Sequence, residues 1–487
     1  MKLFRFLFCK LSLSKWLKDR FSISYCLLSI SYCILITSSC KKDSFVTSQF
    51  ALLSITADTL KYDTVFTTTG SITKSFKIIN ENNQKLRLSK IKLMGGSASA
   101  YKMNVDGIAV NEINNLDMEA NDSIYIFVSI TTTPNTANLP FIISDSILIN
   151  YNGNNRYIQL QAYGQNANFL RNKIITGNVV WTNNLPYVIL GSIRVDTTAT
   201  LTIQPGCKIY SHADAPFIVD GTLIVNGTPT TNVIFTGDRL DEVYKDLPAS
   251  WPGIYFRGPS KNNILTYAII KNAYQAIVAE KPSINANVKV NLHQCIIDNA
   301  YDAGILCVNS NLQADNSLIS NCGNNIILSY GGVYKFTHCT VAAYSNNYLI
   351  HKNPVLNVNN FLTQSGTTLT ADLHAVFSSN IFWSDGIMVN NEVVISKQGV
   401  NIFNVLFEKN IYRALTGPTN STLSGNKINT DPLFDSIDVS KNIYNFRITK
   451  NAFAPGINAG ILTTFLKDLD NNNRNIGLPD MGCYEKQ

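Results

Sequence analysis

The sequence predicts an all-β protein: a β-sandwich followed by a parallel β-helix. Three observations carry that reading. Apolar residues alternate with period two through residues 49–166, as half-buried strands require. From residue 173 the pattern changes to very short apolar segments, which recur at steps of 27, 22 and 22 residues. Asparagine is abundant, with 58 residues and none in the first 50, which marks a turn-rich chain.

At ~100–200 residues per domain, 487 residues allow two to four domains and a sizeable core. A chain that is 45% hydrophobic and 15% charged is not a disordered or acidic-tail protein. Its net charge of +7 is unevenly placed, because Lys2, Arg5, Lys10, Lys15, Lys18 and Arg20 face Asp19 alone in residues 1–39. The remainder has no clustered basic face, so nucleic acid is not an expected partner.

Residues 1–39 read as a signal peptide. The apolar run 23–36 is about 14 residues, an h-region length, where a spanning helix needs ~20. Thr37, Ser38 and Ser39 precede Cys40, and Lys41, Lys42 and Asp43 follow it. This resembles the lipobox of bacterial lipoproteins, with Thr37 where leucine is usual. The resemblance implies an acylated Cys40 anchored in a lipid bilayer, each buried CH₂ contributing ~0.8 kcal/mol. It also implies an outer-membrane address, on the periplasmic or cell-surface face, with residues 40–48 as lipidated N-terminus and linker. Beyond Cys40 six cysteines remain (Cys207, Cys295, Cys307, Cys322, Cys339, Cys483), and no C-x-x-C pair supports a zinc or redox site.

In 49–166, Ile124, Ile126, Val128 and Ile130 share one strand face, and Asn152-Gly153 marks a hairpin turn. Phe76 to Asn80, with the strand ending Leu93-Met94-Gly95-Gly96, resembles immunoglobulin-like domains of the abnormal-spindle/hydin type. That likeness implies an immunoglobulin-like sandwich without catalytic residues. Asn166 to Asn172 is the expected join.

In 173–487, Ala268-Ile269-Ile270-Lys271-Asn272 aligns with Cys295-Ile296-Ile297-Asp298-Asn299 and with Ser317-Leu318-Ile319-Ser320-Asn321. A step near 22 suits one coil of three short strands and three turns. The alignment places Ala268, Cys295, Ser317, Cys339 and Asn380 in one file. Ile269, Ile296, Leu318 and Thr340 form a second file, expected inside, and Asn272, Asn299 and Asn321 form an amide ladder. Cys295 and Cys339 fall two coils apart, beyond disulfide reach at ~4.8 Å per coil, so buried thiols are expected.

Residues 181–256, from Trp181 through Leu201-Thr202-Ile203-Gln204-Pro205-Gly206 and Asp220-Gly221-Thr222-Leu223 to Trp251-Pro252-Gly253, resemble the right-handed parallel β-helix lipoproteins of Bacteroidetes. So does the end of the chain, Asp468-Leu469-Asp470-Asn471-Asn472-Asn473-Arg474 to Asp480-Met481-Gly482-Cys483-Tyr484-Glu485. The resemblance implies a pectin-lyase-like fold and a cell-envelope address more than an activity.

Polygalacturonase-like signatures are absent: no Asp-Asp pair occurs, and none of the five histidines is flanked by glycine. Lyase chemistry needs carboxylates on successive coils to hold calcium, yet Asp298 aligns with Lys271 and Ser320. The expectation is therefore a non-catalytic surface for a polysaccharide or a surface protein, with a lyase or hydrolase of non-standard site as the alternative. Binding candidates lie in one polar insertion: Asp238, Arg239, Asp241, Glu242 and Tyr244, closed by Trp251. Their rings suit sugar faces and their carboxylates suit hydroxyls; equally, the loop can fold over the solenoid with Trp251 buried. Asp468, Asp470 and Asn472 resemble half of a calcium loop, the one cofactor the sequence raises, against a turn in which Arg474 pairs with Asp480 or Glu485.

Overall fold

The computed structural model describes residues 44–486 except 68, 69, 243 and 475, so Cys40 and the expected signal peptide lie outside the described residues. The chain divides into two compact units. One runs to Lys61 and takes in Ser71–Ile130 and Ser144–Gln161; the other comprises Tyr62–Gly70, Thr131–Ile143 and the chain from Ala162 onward.

The N-terminal strands form two five-stranded sheets. In one, Lys74–Asn80 pairs antiparallel with Ser123–Ile130, which pairs antiparallel with Tyr101–Val105. In the other, Leu86–Leu93 pairs antiparallel with Glu112–Met118 and with Phe141–Tyr151. Ile124, Ile126, Val128 and Ile130 are all buried, as their period-two spacing requires. Asn152 and Gly153 both take positive φ, the backbone of a two-residue turn that matches strand twist.

From Asn168 the chain is a right-handed parallel β-helix, one continuous sheet of 26 strands. Three faces repeat. The first face stacks Val233–Gly237, Ala268–Lys271, Ile296–Asp298, Leu318–Ser320, Thr340–Ala343 and Ile381–Ser384. The second stacks Ile254–Phe256, Gln275–Glu280 and the start of Ala303–Asp315. The third stacks Asn263–Thr266, Val290–His293 and the end of Ala303–Asp315.

Corners dictate composition. Between the third and first faces the chain turns on single residues of positive φ: Tyr267, Gln294, Asn316, His338, Ser379 and Lys409. Between the first and second faces Asn272, Asn299 and Asn321 do the same at 62°, 56° and 50°. Asparagine enters the left-handed region at low cost, which explains its abundance. The amide ladder exists at one step, Asn299 Nδ2 donating to Asn272 Oδ1 at 2.9 Å. It does not continue, because Asn321 Oδ1 instead accepts from the Tyr344 N–H.

The register of the coils is the expected one, Ile269 opposite Ile296, then Leu318, Thr340 and Ile381. The direction of one file is not. Ala268, Cys295, Ser317 and Cys339 point inward, as do Ile270, Ile297, Ile319 and Val341, all of them fully buried. Ile269, Ile296, Leu318 and Thr340 therefore point outward, since neighbours along a strand face opposite ways. They look apolar because another segment covers them: Leu318 packs with Phe446, Leu469, Cys483 and Tyr484, with Ile296 partly buried alongside.

Polar contacts link the coils. The Cys295 N–H donates to Ser317 Oγ at 3.0 Å, Cys339 N–H to Asn380 Oδ1 at 2.8 Å, and Asn380 N–H to Asn410 Oδ1 at 2.8 Å. All six described cysteines are buried and unpaired with one another. Where the chain bulges between Glu280 and Val290, Lys289 is fully buried. Its Nζ donates to the carbonyls of Arg257, Gly258 and Glu280 at 3.1, 3.0 and 2.8 Å.

Candidate functional site

The polar insertion is folded on itself. Arg239 makes a two-pronged pair with Asp241 at 2.9 and 3.2 Å, and its guanidinium lies 3.8 Å from the Tyr244 ring centroid. Asp238 meets His212 Nδ1 at 2.7 Å, and Lys245 meets Glu242 at 3.0 Å. Trp251 is 1% exposed inside the solenoid core, and its indole N–H donates to the Lys271 carbonyl at 2.9 Å. Its ring offers no face to a ligand, so the expected stacking role is replaced by a structural one.

The Asp468–Asn472 turn is also internally committed. Asp468 is fully buried; its carboxylate accepts from the Asn472 and Glu485 N–H groups at 2.6 and 2.7 Å. Asp470 faces Arg447 through two bonds of 2.5 and 2.7 Å. Arg474, also fully buried, bonds Glu485 Oε2 at 2.9 Å, Asn316 Oδ1 at 2.7 Å and the Gly482 carbonyl at 2.8 Å. Burial pushes the carboxyls of Asp468, Asp480 and Glu485 upward, Glu485 to about 7. Among the described residues no group of three His, Cys, Asp or Glu side chains is placed to hold a metal.

A different place gathers unsatisfied polar groups. At the corner between the first and second faces, a cleft of about 210 Å³ is lined by Lys271, Asn272, Asp298, Asn299 and Asn321 from three successive coils. Its walls come from segments that break the coil period. Asp246 comes from the polar insertion, Asn346 and Tyr348 from the long connection after Thr340–Ala343, and Asn442 and Tyr444 from the hairpin Ser436–Asp438/Ile443–Asn445. The insertion is tied down by the corner itself: Asn272 Nδ2 donates to the Lys245 carbonyl at 2.7 Å and Asn299 Nδ2 to the Asp246 carbonyl at 2.8 Å.

Two of the lining residues each carry a buried polar atom with no hydrogen-bond partner among the described residues, Asn299 Oδ1 and the Tyr444 hydroxyl. Asn299 is 8% exposed, so its unpaired oxygen carries a desolvation cost of about 1–3 kcal/mol that a hydroxyl-bearing ligand would relieve. Asp298 has its carboxyl raised by burial while Ser320 Oγ donates to it at 2.7 Å. Sequence reasoning located the asparagine file but not the cleft, because its walls come from positions 246, 346–348 and 442–444, far apart in the chain. Tyr348, 43% exposed, adds an aromatic surface.

Residues 173–281 match a family described as a pectate-lyase like beta helix domain. No curated protein matches the chain. Among solved structures, a family 123 glycoside hydrolase from Clostridium perfringens, described for glycolipid glycan hydrolysis, is similar to part of it at 10% identity. That match covers 23% of this chain and 25% of that one with a TM-score of 0.17, too low to carry an argument. A pectate-lyase-like β-helix is thus what sequence similarity and strand topology have in common.

Proposed function

We propose that this chain is an outer-membrane lipoprotein, anchored through acylated Cys40, which binds a saccharide without turning it over in the asparagine-lined corner cleft. The sandwich, read as immunoglobulin-like, would be its membrane-proximal stalk. One observation carries the binding reading: three segments that depart from the coil period converge on one cleft, two of whose lining residues carry an unpaired buried polar atom. Amides, carboxylates and two tyrosines suit a neutral, hydroxyl-rich ligand, and the volume fits a single sugar ring rather than a chain, being several times a water's ~30 Å³.

Glycan-array binding by the full chain, followed by titration calorimetry, tests the reading. Tyr444→Phe removes a hydroxyl that bonds nothing in the free protein, so folding is preserved while affinity drops about tenfold, one hydrogen bond's worth. An array without hits, or Tyr444→Phe binding as tightly as the parent, overturns the site. Cys40→Ser should shift the protein from the membrane to the soluble fraction; unchanged detergent partitioning refutes the anchor. A hydrolase is the second reading, favoured by the raised Asp298 carboxyl with Asp246 lining the same cleft. Hydrolysis of the bound glycan, lost in Asp298→Asn, would establish it.

A further inference from the structure

The third face carries a separate constellation. Thr266, His293 and Asp315 occupy one position on three successive coils, paired Thr266 to His293 and His293 to Asp315 in parallel register. Strands at that spacing lie ~4.8 Å apart, within reach of side-chain relays. His293 Nδ1 is 2.5 Å from Asp315 Oδ1, and Asn316 Nδ2 donates to the other carboxylate oxygen at 3.0 Å. Asp315 is 5% exposed, so a fixed carboxylate holds the ring proton on Nδ1 and leaves Nε2 as the acceptor. Nδ1 is bonded toward the following coil, and Thr266 stands on the preceding one, beside His293 in the ladder.

All three residues line one cleft of about 540 Å³, which Lys467 and Asn471 also line. Among the described residues neither Thr266 Oγ1 nor His293 Nε2 makes a hydrogen bond, and catalytic bonds are commonly long before substrate arrives.

We propose that Thr266, His293 and Asp315 act as nucleophile, general base and orienting acid in hydrolysis of a small acyl ester carried on a sugar hydroxyl. Thr266 Oγ1 attacks the ester carbonyl carbon while its proton passes to His293 Nε2. The carbonyl–oxygen bond to the sugar then breaks, and the sugar oxygen leaves with that proton. Water attacks the acyl-threonine, gives its proton to His293, and the free acid departs with Thr266 Oγ1–H restored. Lys467 and Asn471 carry the N–H groups that a developing oxyanion requires. Only the sugar part of this substrate rests on the proposed function; the triad does not.

The full chain is treated with a fluorophosphonate probe and, separately, with 4-nitrophenyl acetate. Phosphonylation of Thr266, located by peptide mass spectrometry, is expected. The label is lost in Thr266→Val, a near-isosteric change that spares the fold, and falls about 100-fold in His293→Gln. Thr266→Ser should label faster. Asp315 raises the His293 pKa above its ordinary value, so the ester rate should climb with pH as the ring loses its extra proton. An unlabelled Thr266 in the parent chain overturns the proposal, as does undiminished labelling of a His293→Gln variant that melts like the parent. An ester rate that survives Thr266→Val but not His293→Gln makes water the nucleophile and overturns the assignment of Thr266. Glycan binding at the corner cleft is independent of all of these variants, so the two proposals fail separately.

Discussion

The coils between Ala268 and Ala343 and the segments that interrupt or cover them follow different rules. Within the coils one strand position predicts the next, step after step, and nearly every inward side chain is small or aliphatic. The interruptions repeat nothing. They supply Asp246, Tyr348 and Tyr444 to the corner cleft, the buried ammonium of Lys289, and the Arg474 cluster that closes the outer side of the first face. Repetition builds a scaffold whose polar backbone satisfies itself, and it stacks equivalent positions such as Thr266, His293 and Asp315. The corner cleft forms where repetition stops, because there side chains from distant parts of the chain converge on one point.

The largest expected effect tests the direction of the files. Ile297→Asp places a charge in the fully buried interior and should cost more than ~4 kcal/mol, abolishing cooperative melting. Ile296→Asp, one residue away and facing the closing segment, should cost about 1–3 kcal/mol, and Lys271→Asp little. If thermal melting ranked Ile296→Asp as the worse, the outward file would be the inward one.

The same contrast shows what was legible in the sequence. Register was, because a 22-residue step leaves matching residue types such as Asn272, Asn299 and Asn321. The direction of the Ile269–Ile296–Leu318 file was not, because an outward apolar residue covered by Phe446 or Tyr484 has the same chemistry as an inward one. Trp251 and the polar insertion could be read either as a ligand platform or as a lid; burial of the indole takes Trp251 out of the platform. Of the cleft, only the corner asparagines were visible. The Thr266–His293–Asp315 alignment is not legible, because these residues lie 27 and 22 positions apart and share no residue type.

The closing segment should respond next. Arg474→Met leaves the Glu485 carboxyl buried without its partner and should cost about 3–5 kcal/mol. The pH dependence has a definite sign. Glu485 titrates at about 7 in the folded chain against 4.5 as a free group, so the folded state holds the extra proton between those values. Stability contributed by this group therefore falls as pH rises through that window. Buried His338, beside Arg474 and held down to about 3, works the other way below its ordinary value, so the Glu485 contribution is read as a difference between variants. Glu485→Gln should lose melting temperature relative to the parent at pH 5 compared with pH 8. An unchanged difference between the two chains across that window would show that burial does not govern this carboxyl.

Lys289 comes third. Lys289→Met keeps the length of the stem but removes one donor from three carbonyls, of which that of Arg257 keeps the Ser260 N–H, a loss of about 1–3 kcal/mol measurable by urea titration. A neutral or stabilising result would mean that those carbonyls reach water when the ammonium is gone, and that the bulge is looser than its bonding implies.

The smallest effect belongs to the polar insertion, and it is the sharpest test of whether that loop is lid or ligand site. The Arg239 side chain is 40% exposed and that of Asp241 is 13%, so solvent screens much of their attraction. Asp241→Asn keeps the shape and removes the charge, and should lower stability by no more than about 0.2–1 kcal/mol. Glycan binding should be unchanged, because the Asp241 carboxylate is already engaged by Arg239 and does not line the corner cleft. Asp246, five residues on, does line it, and Asp246→Asn should weaken binding in calorimetry with little change in melting. The insertion would then act on ligand only through the end that the corner asparagines hold. Reversal of the two variants, with Asp241→Asn abolishing binding and Asp246→Asn leaving it intact, would move the site from the corner onto the loop and make the interruption itself, rather than its meeting with the repeat, the functional element.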